Sequence, residues 1–283
     1  MKITAPLGIR FWDYARNVQV SSDLIVSARL VNSKNPISFA STSSSGIYVF
    51  HHLPGLRKFE FSSQEWNVNN PVTDTKQYVI QVKDIKRRFI PVSFKVEAPF
   101  KGIFPGEFLV SPTGVLGFDL FSTPVREISA QYVEVYARLW NIDDNVPASF
   151  ALMKVTVNSS IEAKGISDED GKIKVLFLYP PIYRTLTGSP STGLNLPLEE
   201  QVWNAEIEVF YQPAIIQKLE EVNQPNFRSI LLQQNCDIIF ENSSNTTTPS
   251  MSTNIYYGKS PTVLKTIDSD DVKLYIRPAY TSP

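Results

Sequence analysis

The chain carries two histidines, His51 and His52, side by side. Histidine is the side chain best suited to general acid–base work near neutral pH, and it is the commonest metal ligand. Neighbouring residues on a strand point to opposite faces, so this pair does not converge on one metal ion or one substrate atom. No Cys-x-x-Cys or His-x-x-x-His spacing exists in the chain. Two acidic groups come next: Asp168, Glu169 and Asp170 ahead of Gly171, and Asp268, Asp270 and Asp271. Carboxylate oxygens suit hard cations, but a calcium loop sets its ligands at alternate positions and closes on a distant Glu. Neither group does so, and a structural turn is the reading for both, with weak calcium binding the alternative. Cys236 is the single cysteine and leads into Ile238, Ile239 and Phe240, where a lone Cys acts as a small hydrophobe. The basic run Lys83, Lys86, Arg87, Arg88 encloses Asp84 and reads as a solvated turn. The expectations are no catalytic residue, no metal ligand, no cofactor, and a chain that is not an enzyme.

The elements that would position any site are strands. Short runs of β-branched and aromatic residues, bounded by Pro, Gly, Asn and Ser, alternate apolar with polar, and helical periodicity is scarce. Leu24, Val26, Ala28, Leu30 alternate cleanly, as do Ile47, Val49 and Tyr78, Ile80, Val82. Phe89 to Val96 is a further strand that Pro91 assigns to an edge. In the second half the strands are Tyr132 to Trp140, Phe150 to Val157, Ile173 to Phe177, Val202 to Tyr211, Cys236 to Phe240 and Val272 to Ile276. Ile215 to Leu232 fits a helix except that Pro225 breaks it. The predicted fold class is all-β, two tandem β-sandwich domains. The domains are 1–98 and 131–283, with a connector at 99–130 and long loops in the C-terminal half at 185–196 and 241–260.

The connector holds Pro99, Gly102, Pro105, Gly106, Pro112, Gly114, Gly117 and Pro124, interleaved with Phe100, Phe104, Phe108, Phe118 and Phe121. A flexible linker has no use for so many phenylalanines, so the segment is expected to pack down and to offer aromatic anchors to a protein partner. Tyr256 and Tyr257 are the matching candidates in the second half. A length of 283 residues suits two domains, and 42% hydrophobic with 19% charged residues places the chain among globular proteins. Twenty-seven basic against 28 acidic residues give a net charge of -1, which supplies no field for nucleic acid. No run approaches the roughly 18 apolar residues of a membrane-spanning helix. Met1 to Ile9 lacks the apolar stretch of a secretory signal, so a cytoplasmic location is expected. The tripeptides at Asn158, Asn242 and Asn245 are then polar loop residues rather than glycosylation sites.

The halves echo one another. Asn17-Val18, Leu24-Ile25 and Ser45-Gly46-Ile47-Tyr48-Val49 recur in order as Asn145-Val146, Leu152-Met153 and Asp170-Gly171-Lys172-Ile173-Lys174-Val175. Each copy reads as a strand, an acidic turn at Asp13 or Asp143-Asp144, a second strand, a loop, then a Gly turn opening a third strand that ends at Pro54 or Pro180. The expectation is two copies of one sandwich motif.

This pattern resembles the carboxypeptidase-regulatory-like, transthyretin-like β-sandwich, an accessory domain without protease chemistry. Ile9-Arg10-Phe11-Trp12-Asp13, Leu53-Pro54-Gly55-Leu56-Arg57, Arg88-Phe89-Ile90-Pro91-Val92, Leu120-Phe121-Ser122-Thr123-Pro124 and Gly165 to Tyr179-Pro180 resemble proteins encoded beside contractile injection system genes. The resemblance covers about residues 7 to 182. It implies a structural subunit of a phage-tail-like particle, present in several copies around the tail axis, with cap, sheath or tube-end, or baseplate proteins as partners. The cap, or tail-terminator, end is preferred, because nothing in the chain resembles spike, wedge or fibre proteins. The alternatives are a baseplate-associated component and a free carbohydrate- or surface-binding module. The latter would use tryptophans gathered in one cleft, whereas Trp12, Trp66, Trp140 and Trp203 are scattered. A metal-dependent hydrolase would need ligands that the sequence does not display.

Overall fold

Alternating sequence makes two-faced strands, and the computed structural model of the chain is accordingly all-β. It describes residues 5–33, 37–57, 75–106, 116–181, 201–241, 246–267 and 272–278. The chain divides into two compact units, Met1–Phe121 with Ile215–Leu232, and Ser122–Ala214 with Gln233–Pro283.

The first unit opens with β1 (Leu7–Ile9), β2 (Phe11–Asp13), β3 (Val18–Gln19), β4 (Leu24–Leu30) and β5 (Ser38–Phe39). It continues with β6 (Ser41–Thr42), β7 (Tyr48–Phe50), β8 (Lys76–Asp84), β9 (Val92–Ala98) and β10 (Phe118–Leu120). One sheet runs β5-β4-β8-β9; facing it are β1-β7-β6 and β10-β2-β3. β1 and β2 are one extended run divided at Arg10: β1 pairs antiparallel with β7, and β2 pairs antiparallel with β3 and parallel with β10. Every second residue of that run, Leu7, Ile9 and Phe11, is completely buried. Phe94 from β9 stacks on Phe118 from β10 at 3.9 Å, which joins the two layers through the core. Each such buried side chain contributes about 1.5–3 kcal/mol.

The second unit holds β11 (Tyr132–Asn141), β12 (Val146–Pro147), β13 (Leu152–Val157), β14 (Ile161–Ile166), β15 (Lys172–Leu178) and β16 (Val202–Phe210). The chain then leaves this unit for an arm carrying β17 (Lys218–Leu219), β18 (Gln224–Pro225) and the short helix α1 (Phe227–Leu231), all of which belong to the first unit. It returns with β19 (Asp237–Glu241), β20 (Thr246–Thr248), β21 (Met251–Tyr256), β22 (Thr262–Leu264) and β23 (Leu274–Arg277). β11 is the hub: β12 and β15 pair with it antiparallel, β22 and β23 parallel. The other sheet runs β14-β13-β16-β21. The core is an aliphatic set that includes Val133, Val135, Leu139, Val155, Ile173, Val175, Ile207 and Ile276.

The sequence echo is a repeat of topology. β4 pairs with β5 and β8, and β8 with β9, just as β13 pairs with β14 and β16, and β16 with β21. β1 lies antiparallel to β7, and β2 parallel to β10, as β11 does to β15 and to β22 and β23. Asn17 and Asn145 occupy the left-handed region at φ 51 and 54, and Gly46 and Gly171 at φ 73 and 74.

The expected domain limits need correction on two points. The connector 99–130 is shared between the units: residues up to Phe121 belong to the first because Phe118 and Phe121 are core residues there. Residues from Ser122 belong to the second, where the carbonyl of buried Arg126 accepts a 2.9 Å hydrogen bond from Lys174 Nζ. The domain expected at 131–283 gives up Ile215–Leu232 to the first unit. Likewise 241–260 is not one loop, since β20 pairs with β19 and β21 with β16 inside it. The expected loop 185–196 lies outside the described residues, and no described helix is long and apolar enough to cross a membrane.

Candidate functional site

The arm positions the most distinctive surface of the first unit. Antiparallel pairing with β8 leaves β9 at the end of its sheet, with alternate N–H and C=O groups directed away from β8. The arm meets this edge at one residue, where Ser93 and Asn226 form a parallel bridge. Ser93 Oγ donates to Gln224 Oε1 at 2.6 Å, and the Asn226 N–H donates to the Gln217 carbonyl at 2.7 Å. Asn226 then caps α1, its Oδ1 accepting the Arg228 N–H at 3.3 Å. The helix carries the chain away from the strand. From Phe94 to Ala98 no strand lies on that side of β9 among the described residues.

A groove of about 850 Å³ occupies the space between this open edge and the arm. That volume falls within the roughly 300–1,000 Å³ typical of ligand sites. Its floor is aromatic: Phe94, Phe100, Phe104, Phe118 and Phe227, with Val96, Ile215 and Leu232 beside them. Phe104 lies parallel to Phe118 at 6.1 Å, and Phe100 meets Phe104 edge-on at 5.3 Å. Backbone bonds fix both rings, the Phe100 N–H donating to the Pro6 carbonyl and the Phe104 N–H to the Gly8 carbonyl, each at 2.8 Å. Gly117 lies in the wall because a Cβ there would meet Trp12 Nε1 at 2.7 Å and the Arg10 carbonyl at 2.9 Å. Lys95 and Glu97 stand exposed on the rim, and Glu97 Oε1 accepts from Gln77 Nε2 at 3.2 Å. The site combines main-chain donors and acceptors with an apolar floor. It can bury an apolar side chain while hydrogen-bonding a backbone.

Of the aromatic anchors expected from the sequence, Phe100, Phe104 and Phe118 meet at this groove. Phe118 and Phe121 are core residues rather than surface anchors, 7% and 1% exposed, because the strand of the one and the packing of the other against Tyr14 and Phe227 place them inside. Phe108 lies outside the described residues. Tyr256 and Tyr257 belong to the second unit. Tyr256 ends β21 with 38% of its surface exposed, while Tyr257 packs into a trio with Tyr179 (4.8 Å) and Trp203 (6.5 Å). The sequence reading missed the groove, whose arm wall comes from residues more than a hundred positions after β9; the one signal was Pro225, which ends β18 two positions before α1 begins.

The chemical candidates have structural explanations. Asp168 Oδ1 accepts the N–H groups of Asp170 and Lys172 at 3.0 and 2.9 Å, which makes this cluster the turn into β15. Burial lifts the Asp168 carboxyl above its ordinary range. Asp84 is clamped by Arg88, whose Nε and Nη2 each donate at 2.9 Å, and Lys86 pairs with Asp23 at 3.0 Å. His51 and His52 follow the end of β7 rather than lying in it. Cys236 is buried, and its thiol is pushed up to about 12 by loss of solvent. Among the described residues no three of His, Cys, Asp or Glu form a metal-holding group; Asp268, Asp270 and Asp271 lie outside them.

No protein-family model matches the chain. No curated protein matches it either. Among solved structures, the shaft pilin spaA from Lactobacillus rhamnosus GG is 8% identical, with a TM-score of 0.25 over 98% of each chain. The C-terminal fragment of the pilus adhesin SpaC from the same organism is 8% identical at a TM-score of 0.23, covering 98% of this chain and all of that one. Likeness at this level assigns no role.

Proposed function

We propose that the chain is a structural subunit of a contractile, phage-tail-like particle, acting by docking to neighbouring tail proteins at the cap end. The observation that carries the docking role is the repeated sandwich in which, among the described residues, the same strand ends its sheet in each copy, β9 in one and β21 in the other. Unpaired edges are templates for main-chain pairing between proteins, and an added apolar floor supplies anchorage. The resemblance of the Ile9–Asp13, Arg88–Val92 and Gly165–Pro180 segments to proteins encoded with injection systems supports the choice of particle. A subunit that terminates a tail limits its length, whereas one at the baseplate is needed to start it. Deleting the chain and imaging the particles by electron microscopy tests both statements. Tails of uncontrolled length or lacking a finished end are the expected result. Absence of any tail would move the chain to the baseplate, and intact particles of normal length and activity would overturn the proposal.

A further inference from the structure

We propose that the stretch of β9 from Phe94 to Ala98, which no strand covers among the described residues, accepts an extended apolar segment of a neighbouring protein as an added strand, with one aromatic or large aliphatic side chain of that segment seated against the half-buried rings of Phe100 and Phe104. This deepens the docking reading and rests on it only in taking the ligand to be a protein.

Three observations point to this occupant. The arm already begins such an addition: Asn226 bridges Ser93 in parallel, then turns into α1, so pairing stops after one residue. An incoming strand continues along the edge from that point, where alternate N–H and C=O groups have no strand partner among the described residues. Leu232, at the end of the arm, lines the groove with 52% of its surface in water, an apolar group that an occupant would cover. The charged residues of the lining, Lys95, Glu97 and Arg228, are of mixed sign and sum to one positive charge, too weak a field to favour a strongly charged segment over an apolar one. A strand alternating apolar and neutral polar residues matches the floor and rim together. A small aromatic molecule would use the floor and leave the edge unpaired.

The test uses the full chain with capped eight-residue peptides in which Thr alternates with Phe, Leu, Glu or Lys. Binding is read by fluorescence anisotropy and by amide hydrogen exchange. The Phe and Leu peptides are expected to bind at least tenfold tighter than the Glu and Lys peptides and to slow exchange within 94–98. Methylating alternate backbone nitrogens of the Phe peptide should cost tenfold or more, since it removes the donors that pair with the edge. Leu232→Glu should weaken the Phe peptide while leaving the circular-dichroism spectrum and melting temperature unchanged, because that side chain is already half in water. Binding that is absent for all four peptides, that survives N-methylation, or that acetyl-phenylalanine amide reproduces in full overturns the proposal. Peptide binding with normal particles after deletion retires the particle reading alone; defective particles without peptide binding retire the acceptor site alone.

Discussion

Asp84 has no exposed side-chain surface, yet it is a charge, and the turn between β8 and β9 is built around it. Its carboxylate accepts the Arg88 N–H at 2.6 Å and both guanidinium bonds, and the Asp84 carbonyl accepts the Arg87 N–H at 3.1 Å. That carboxylate hydrogen bond is the main cause holding the Arg88 guanidinium above its ordinary value. Arg88 is 29% exposed and keeps Asp23 at 3.8 Å, so Asp84→Ala removes charge-assisted hydrogen bonds without stranding a buried cation and should destabilise the first unit by about 2 kcal/mol in a denaturant melt. The basic run was legible as a turn from its Asp, though the clamp that makes it rigid was not. Cys236 gives a second check at this scale. A thiol raised to about 12 holds almost no thiolate at pH 8, so it should resist a thiol-specific reagent there and react once the protein is unfolded. Labelling with and without denaturant measures the difference; fast labelling of the native protein would show an accessible thiol.

Elements were legible where alternation was strong and hidden where it was weak. β4, β8, β11 and β15 carry enough inward aliphatic residues to be read directly, whereas β21 buries only Met251 and Ile255 among Ser, Thr and Asn. An edge strand with one solvated side needs few apolar residues, which is why 241–260 reads as loop. The Gly turns were legible because only glycine tolerates their backbone without strain. Their costs should differ. A Cβ on Gly171 would run into the backbone carbonyl of Leu139, but one on Gly46 meets the side chains of Gln19 and Ser21. Gly171→Ala should therefore cost about 2 kcal/mol or more, and Gly46→Ala less, by comparative thermal melts. The arm was illegible, since nothing in Ile215–Leu232 names the strand it will meet. Ser93→Ala removes the donor to Gln224 and should cost about 1 kcal/mol. The same change should quicken amide exchange at Gln217, Asn226 and Ser229, and unchanged exchange would mean that the arm is held elsewhere.

One pairing scheme is used twice in the molecule, and each use ends in a strand that has no outer partner among the described residues. The duplication could be read from Asn17 and Asn145, Gly46 and Gly171, and the prolines that follow, because turns constrain sequence more tightly than strand surfaces do. What could not be read was the exchange of chain between the units, which depends on contacts remote in sequence. The arm narrows the edge of β9 into an aromatic groove, and the matching edge at β21 has no such arm among the described residues. The proposed role requires these edges to join the chain to a tail-like particle. Crosslinking mass spectrometry on particles purified from cells that make this protein addresses it most directly. Several copies per particle are expected, with lysine crosslinks from Lys95, in the groove's lining, and Lys218, next to Gln217 of that lining, to proteins at the sheath or tube end. Particles that lack the chain, or that carry it with no crosslink to any tail protein, would contradict that role.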